Sequence, residues 1–110
     1  MNDDAVPQPA PTPELILRAL HRLIDPEVGV NVVDLGMIAD VDVSPEGAAT
    51  ICIAPTSAGC PMQDVLADGA RALVGNLHGI TSVEVHFIYS PPWTPDRITA
   101  AGREALNQPR

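Results

Sequence analysis

Residues 37–54 read MIADVDVSPEGAATICIA, and this stretch decides the fold. Apolar and acidic residues alternate up to Val43, which is the pattern of a strand with one buried face. Ser44-Pro45-Glu46-Gly47 then has the composition of a turn. A second strand follows at about residues 48–54, so the whole stretch predicts a β-hairpin.

Helices are predicted on both sides of this hairpin. The first begins at Thr12-Pro13-Glu14, which combines an N-cap residue, a proline suited to the first helical position and an acid at the positive helix end. It is expected to stop at Asp25, because Pro26 disfavours a helical conformation in the residue before it. The second helix is expected to begin with Pro61 and to close near Gly79.

The rest of the chain supplies a third strand and a last helix. The strand is predicted from Val83 to Tyr89, and the buried face carries Val83, Val85, Phe87 and Tyr89. Thr94-Pro95-Asp96 repeats the capping pattern of the first helix. The order is αββαβα, and the second and third strands should be parallel because a helix joins them. This predicts an α/β fold, a small two-layer sandwich with a mixed three-stranded sheet and helices packed on one face.

Length and charge limit the class of protein. Residues 12–107 suffice for a single domain, and residues 1–11 are expected to be a disordered tail. A net charge of −8 disfavours binding to nucleic acid or to anionic membranes. No apolar run has the length of about 18 residues that a transmembrane helix needs. The acidic start is unlike a secretory signal, so a cytoplasmic protein is predicted.

Cys60 points most directly to chemistry. It follows the small residues Ser57-Ala58-Gly59 and precedes Pro61, a pattern that places it at the N-cap of the second helix. Backbone N–H groups and the helix dipole stabilise a thiolate there, and the small residues leave room for another molecule to approach. The alternative is an inert cysteine buried at a helix start.

Cys52 has a different setting, between Ile51 and Ile53 in the second strand. We expect it to be a buried, unreactive apolar residue. The cysteines and histidines do not have the spacing of a zinc site. A stable iron–sulfur cluster takes a full set of thiolates, which one chain of this sequence cannot supply.

Two loop residues also stand out. The apolar loop of residues 25–36 should lie against the domain, and Asp34 within it either has a partner or forms an Asx-type turn. Trp93, the only tryptophan, is either part of the core or an exposed contact residue. Asp25 and Glu27 are close in sequence, but nothing fixes the separation that an acid–base pair needs.

Three motifs resemble those of the metal–sulfur cluster assembly factor family. They are DPEVGVNVVDLG at residues 25–36, TSAGCP at residues 56–61 and PPWTPD at residues 91–96. They follow the family's order, and the resemblance covers roughly residues 14–106. It implies the same small α/β fold. It also implies a non-enzymatic role as an accessory factor in iron–sulfur cluster assembly or in delivery to client proteins.

The resemblance implies a site as well. Cys60 and Asp34 would be the functional positions, with Thr56, Trp93 and Thr94 near them. Cys60 would bind the metal of a transient iron–sulfur cluster, which would bridge two chains or borrow outside thiols. The implied partners are the iron–sulfur assembly machinery, client apoproteins and a second copy of the chain in a homodimer.

Departures from the family and other functions remain open. The family more often has proline at Ala58 and an aliphatic residue at Pro55, so the loop before Cys60 is expected to differ in shape. One alternative is a maturation accessory dedicated to a single metalloenzyme, such as a multicomponent oxygenase. Another is a thiol enzyme with Cys60 as nucleophile, although the sequence places no histidine near it as a base.

Overall fold

The computed structural model describes residues 11–56 and 62–107. In chain order the elements are helix α1 (Pro13–Leu20), strands β1 (Ile38–Val43) and β2 (Ala48–Ile53), helix α2 (Gln63–Gly75), strand β3 (Ser82–Phe87), a 3-10 turn (Pro95–Arg97) and helix α3 (Ala100–Asn107). This is the predicted αββαβα order. Residues 1–10 of the predicted tail (residues 1–11) and the segment around Cys60 lie outside the described residues.

Strand β2 lies at the centre of a three-stranded sheet of order β1-β2-β3. It pairs antiparallel with β1 and parallel with β3, so that Ile51 lies between Val41 and Val85. The predicted mixed sheet and the parallel crossover are confirmed. Helices α1 and α2 contact each other and the sheet, and the fold is the predicted small α/β sandwich.

One apolar cluster fills the space between the sheet and the helices. The loop between α1 and β1 (residues 21–37, the α1–β1 loop) contributes to it, as predicted for its apolar part. The buried members of the cluster are Ile16, Leu20, Leu23, Val30, Val32, Leu35, Met37, Ala49, Ile51, Ile53, Leu66, Ala70 and Val74. Within the ranges that the structure describes, no helix is long and apolar enough to cross a membrane.

Helix α1 begins as predicted but ends earlier. Thr12 is its N-cap, and the Thr12 hydroxyl accepts a hydrogen bond from the Leu15 N–H at 3.2 Å. The helix ends at Leu20 rather than at Asp25. The reason is that the Asp25 N–H donates across the loop to the Val30 carbonyl at 3.0 Å, so this residue belongs to the loop.

Helix α2 begins later than the prediction placed it. Its N-cap is Met62 and its first helical residue is Gln63, whereas the prediction placed these two positions at Cys60 and Pro61. The first turn is closed by the Leu66 N–H, which donates to the Met62 carbonyl at 2.9 Å. Leu66 is fully buried, and its place in the core therefore sets where the helix starts.

Two more boundaries differ from the predictions. Helix α2 ends at Gly75, and the residues up to Gly79 form turns instead of a further helical turn. Strand β3 ends at Phe87, because β2, its partner, ends at Ile53. Tyr89 therefore has no place on the buried face and is 48% exposed.

Cys52 is not buried as predicted. Its neighbours Ile51 and Ile53 face the core and are fully buried, so Cys52 points to the open face of the sheet and is partly exposed. Its partners across the sheet are Asp40 and His86. The error arose because apolar neighbours in a strand lie on the opposite face from the residue between them.

The last predicted helix is divided in two. Thr94 precedes the 3-10 turn, in which the Arg97 N–H donates to the Thr94 carbonyl at 3.0 Å. Ile98 then takes an extended conformation that interrupts the helix. Helix α3 follows Thr99, whose hydroxyl accepts a hydrogen bond from the Gly102 N–H at 3.0 Å. A second capping threonine therefore starts the longer of the two pieces.

Candidate functional site

A cleft of about 300 Å³ opens where the α1–β1 loop, the end of β2 and the C-terminal residues meet. The α1–β1 loop contributes Asp25, Glu27, Val28 and Leu35; Thr56 follows β2; and the C-terminal part contributes Trp93, Ile98 and Leu106. The lining is mainly apolar, with two carboxylates and one hydroxyl. The cleft thus brings together two residues predicted for the site, Thr56 and Trp93.

Asp25 is the buried acid of this cleft, since only 3% of its surface is exposed. Its Oδ1 accepts a hydrogen bond from the Glu27 N–H at 2.8 Å, and its carbonyl accepts one from the Gly29 N–H at 2.8 Å. Gly29 has a φ of 76°, a conformation that glycine adopts without strain. Asp25 therefore organises the turn around itself and holds a carboxylate at the cleft.

The sequence pattern does not predict Asp25 and Glu27 as site residues, yet both line the cleft. The sequence signal for Asp25 is a carboxylate inside a segment that is too apolar to be solvated. A carboxylate buried in such a segment needs a hydrogen-bond partner, so it is a candidate for a structural or functional role. These acids do not form a metal site on their own. No group of three or more His, Cys, Asp or Glu residues that could hold a metal ion occurs in residues 11–56 and 62–107.

Asp34 does not line the cleft, but it connects the segments around it. Asn31 Nδ2 donates to Asp34 Oδ2 at 2.8 Å, and the Asp34 N–H donates back to Asn31 Oδ1 at 2.8 Å. The Thr99 hydroxyl donates to Asp34 Oδ1 at 2.9 Å, and His21 Nε2 lies 3.9 Å from the same oxygen. Asp34 therefore has partners both within the α1–β1 loop and in the C-terminal part of the chain.

These contacts favour the charged form of Asp34. The pKa of its carboxyl lies below the ordinary value, chiefly because Asn31 donates a hydrogen bond to it. The hydrogen bond from Thr99 and the charge of His21 act in the same direction, while partial burial opposes them. At neutral pH the Asp34 side chain is an anion that accepts these hydrogen bonds.

The lowered pKa predicts how acid affects stability. Because the folded-state pKa lies below the ordinary value of 3.8, Asp34 stabilises the fold above that value. The stabilisation is lost as the pH falls through the folded-state pKa. We expect Asp34→Asn to lower the unfolding temperature at pH 7, with a difference from wild type that shrinks below about pH 4. Circular dichroism melts across this pH range measure it.

The matched control is Asp42→Asn, which removes an exposed acid of β1. Among the described residues, the Asp42 side chain has no ion pair or hydrogen bond. The unfolding temperature of Asp42→Asn should follow the wild type at every pH. A deficit in Asp34→Asn that is the same at pH 3 and pH 7 would contradict the prediction.

The other predicted site residues have different surroundings. Trp93 is half-buried against the core, and its Nε1–H donates to the Leu35 carbonyl at 2.7 Å. Thr56 is exposed at the cleft. Thr94 precedes the 3-10 turn and is not part of the cleft lining. Cys60 lies outside the described residues, in the segment that follows Thr56.

The chain belongs to the iron–sulfur cluster assembly protein family, whose sequence pattern matches residues 13–87. The predicted family is thereby confirmed. Fe-S protein maturation auxiliary factor YitW of Bacillus subtilis is 37% identical over 93 residues, which are 84% of this chain and 91% of that protein. Fe-S protein maturation auxiliary factor SufT of Staphylococcus aureus is 37% identical over 84 residues, 76% of this chain and 96% of that protein.

A solved structure has the same fold. The crystal structure of a domain of unknown function from Bacillus anthracis superposes with a TM-score of 0.83 at 30% identity, and the match covers 88% of this chain and 92% of that one. The α/β sandwich is therefore a fold that this relative shares.

Proposed function

We propose that the chain is an accessory factor in the maturation of iron–sulfur proteins, which assists cluster assembly or delivery and does not act as an enzyme. Family membership supports this role, and two similar relatives carry the name Fe-S protein maturation auxiliary factor. The cytoplasm is the proposed location. The proposed partners are the iron–sulfur assembly machinery and client apoproteins.

The cleft is the observation that carries this proposal. Its lining ends at Thr56, the first residue of the motif that contains Cys60. The mainly apolar lining lowers the local dielectric constant, which strengthens polar contacts made in the cleft. In this proposal Cys60 supplies the thiolate for iron, and Asp25 and Thr56 contribute polar groups to the cleft.

The chemistry of these residues suits a transient rather than a resident cluster. A cluster and its thiolates carry negative charge, and the cleft already contains the carboxyl groups of Asp25 and Glu27. Carboxylate oxygens are hard ligands that compete poorly with thiolates for cluster iron. A single thiolate per chain, with a cleft that adds only hard oxygen ligands, thus binds a cluster weakly, which allows the cluster to be passed to a client.

The ligand count predicts how a cluster is held. One chain offers Cys60 as its cluster thiolate, so a bound cluster should bridge two chains or use an added thiol such as glutathione. After anaerobic reconstitution with iron and sulfide, native mass spectrometry should therefore show the cluster mass on dimers or on monomers with bound thiol. The control is the same protein without sulfide. A stable cluster on isolated monomers without added thiol would refute this account.

A further inference from the structure

The C-terminal residues 93–107, here called the strap, are attached to the domain differently from the other elements. Among the described residues, helix α3 makes no extensive contact with another helix or strand, and Gly102 is its only buried residue. The strap lies instead on the α1–β1 loop.

Three hydrogen bonds from the strap to this loop end on the adjacent residues Asp34 and Leu35. The Thr99 hydroxyl donates to Asp34 Oδ1 at 2.9 Å, and the Thr99 N–H donates to the Asp34 carbonyl at 2.8 Å. The third is the bond of 2.7 Å from Trp93 Nε1–H to the Leu35 carbonyl. The attachment is therefore concentrated at one point of the loop.

Gly102 lets helix α3 approach this point closely. A Cβ atom at Gly102 would lie 2.6 Å from the Asp34 carbonyl oxygen and 2.9 Å from Ile98 Cγ2. Neither distance is tolerable for a carbon atom, so a side chain at this position would push the helix away from the loop. The close packing of the strap against the α1–β1 loop therefore depends on the absence of a side chain at Gly102.

The strap also supplies one wall of the cleft. Trp93, Ile98 and Leu106 line it from the strap, whereas the two carboxylates and Thr56 belong to the rest of the chain. Removal of the strap as a unit would leave the carboxylate side in place and would open the apolar side to solvent. Segments with few buried contacts open locally at a lower free energy than the core.

We propose that the strap is a releasable wall of the cleft, and that Thr99 and Gly102 are the positioning residues that hold it closed on Asp34. The closed strap limits the cleft to a small volume, and the released strap admits a larger body such as a segment of a client protein. The inference that this release serves cluster delivery rests on the proposed function. The inference that the strap can be released does not. The hydrogen bond from Asn31, within the loop, contributes most to the lowered pKa of Asp34, and the hydrogen bond from Thr99 of the strap adds to it.

Trp93 is the only tryptophan of the chain, so its fluorescence reports the position of the strap. Two variants with matched controls separate the strap from the rest of the domain. Thr99→Val removes the hydroxyl at nearly constant volume, and Thr99→Ser retains it. Gly102→Ala adds a methyl group at the tight contact, while a Cβ at Gly75 would meet no atom within 4 Å, which makes Gly75→Ala its control.

We expect the Trp93 emission of Thr99→Val and Gly102→Ala to shift to longer wavelength. Acrylamide quenching should rise toward the value of the chain unfolded in urea, with far-UV circular dichroism largely retained. Thr99→Ser and Gly75→Ala should match the wild type. In the wild type, hydrogen exchange of residues 93–107 should be faster than that of β2. The proposal would be overturned if Trp93 stayed protected from acrylamide in both variants. It would also be overturned if the amide hydrogens of the strap and of β2 exchanged at one common rate in the wild type.

Maturation of an iron–sulfur client distinguishes this inference from the proposed function. The two opened variants should change the rate of client maturation relative to Gly75→Ala, with Cys60 intact. An unchanged rate in opened variants, together with an inactive Cys60→Ala chain, would refute the role of the strap and leave the proposed function standing. Full activity of Cys60→Ala would refute the proposed function and leave the fluorescence result unaffected.

Discussion

Cys60→Ala is expected to remove the capacity of the chain to support iron–sulfur protein maturation. A methyl group cannot bind iron, and the other cysteine, Cys52, points to the open face of the sheet among Asp40 and His86. The side chain of Cys52 is therefore directed away from the core side of the sheet. We expect the visible absorption of anaerobically reconstituted protein to be lost, and iron–sulfur enzyme activity to fall to the level of cells that lack the chain.

Cys52→Ala is the matched control for this experiment. It also removes one thiol, and its position is partly exposed, so the substitution should leave the fold and the function close to wild type. Loss of function in Cys52→Ala with full function in Cys60→Ala would show that the reactive thiol has been misassigned.

Gly47→Ala is expected to have the largest effect on stability. Gly47 has a φ of 89° in the turn between β1 and β2, and an added Cβ would overlap the Gly79 carbonyl oxygen. The left-handed conformation costs roughly 1–2 kcal/mol in a residue with a side chain, and overpacking costs roughly 1–3 kcal/mol more. We therefore expect the free energy of unfolding to fall by about 2–5 kcal/mol in urea titrations.

Gly75→Ala serves as the control for Gly47→Ala, because the same methyl group meets no atom there and φ is not left-handed. It should show no loss of stability. A decrease below about 1 kcal/mol for Gly47→Ala would mean that the turn and the residues before β3 can separate at little cost.

The order of the elements could be predicted because each has a local signal. The alternation before Val43 and the capping residue Thr12 act over a few positions, and both have the predicted role in the structure. The ends of helices and strands are less predictable, because a contact with a residue distant in sequence can override the local pattern. Asp25 leaves helix α1 because Val30 accepts its N–H, and Leu66 sets the start of α2 through its burial.

The surroundings of the site could be predicted only in part. Asp34 is predicted either to have a partner or to form an Asx-type turn, but its partner Thr99 lies 65 positions away and no sequence pattern identifies it. The bond from Trp93 to Leu35 spans 58 positions. Asp25 was missed for a related reason, because its burial follows from how the loop folds onto the core and not from its immediate neighbours.

The place of β2 at the centre of the sheet leaves β1 and β3 as the two edges. Exposed edges can recruit strands of other molecules and lead to aggregation, and charged side chains oppose this. Edge β1 carries Asp40 and Asp42, and edge β3 carries Glu84 beside His86. Two copies that met along β1 would bring four carboxylates together, so these charges act as gatekeepers that keep the sheet from extending between molecules. A functional dimer of this chain would then assemble through a surface other than the β1 edge.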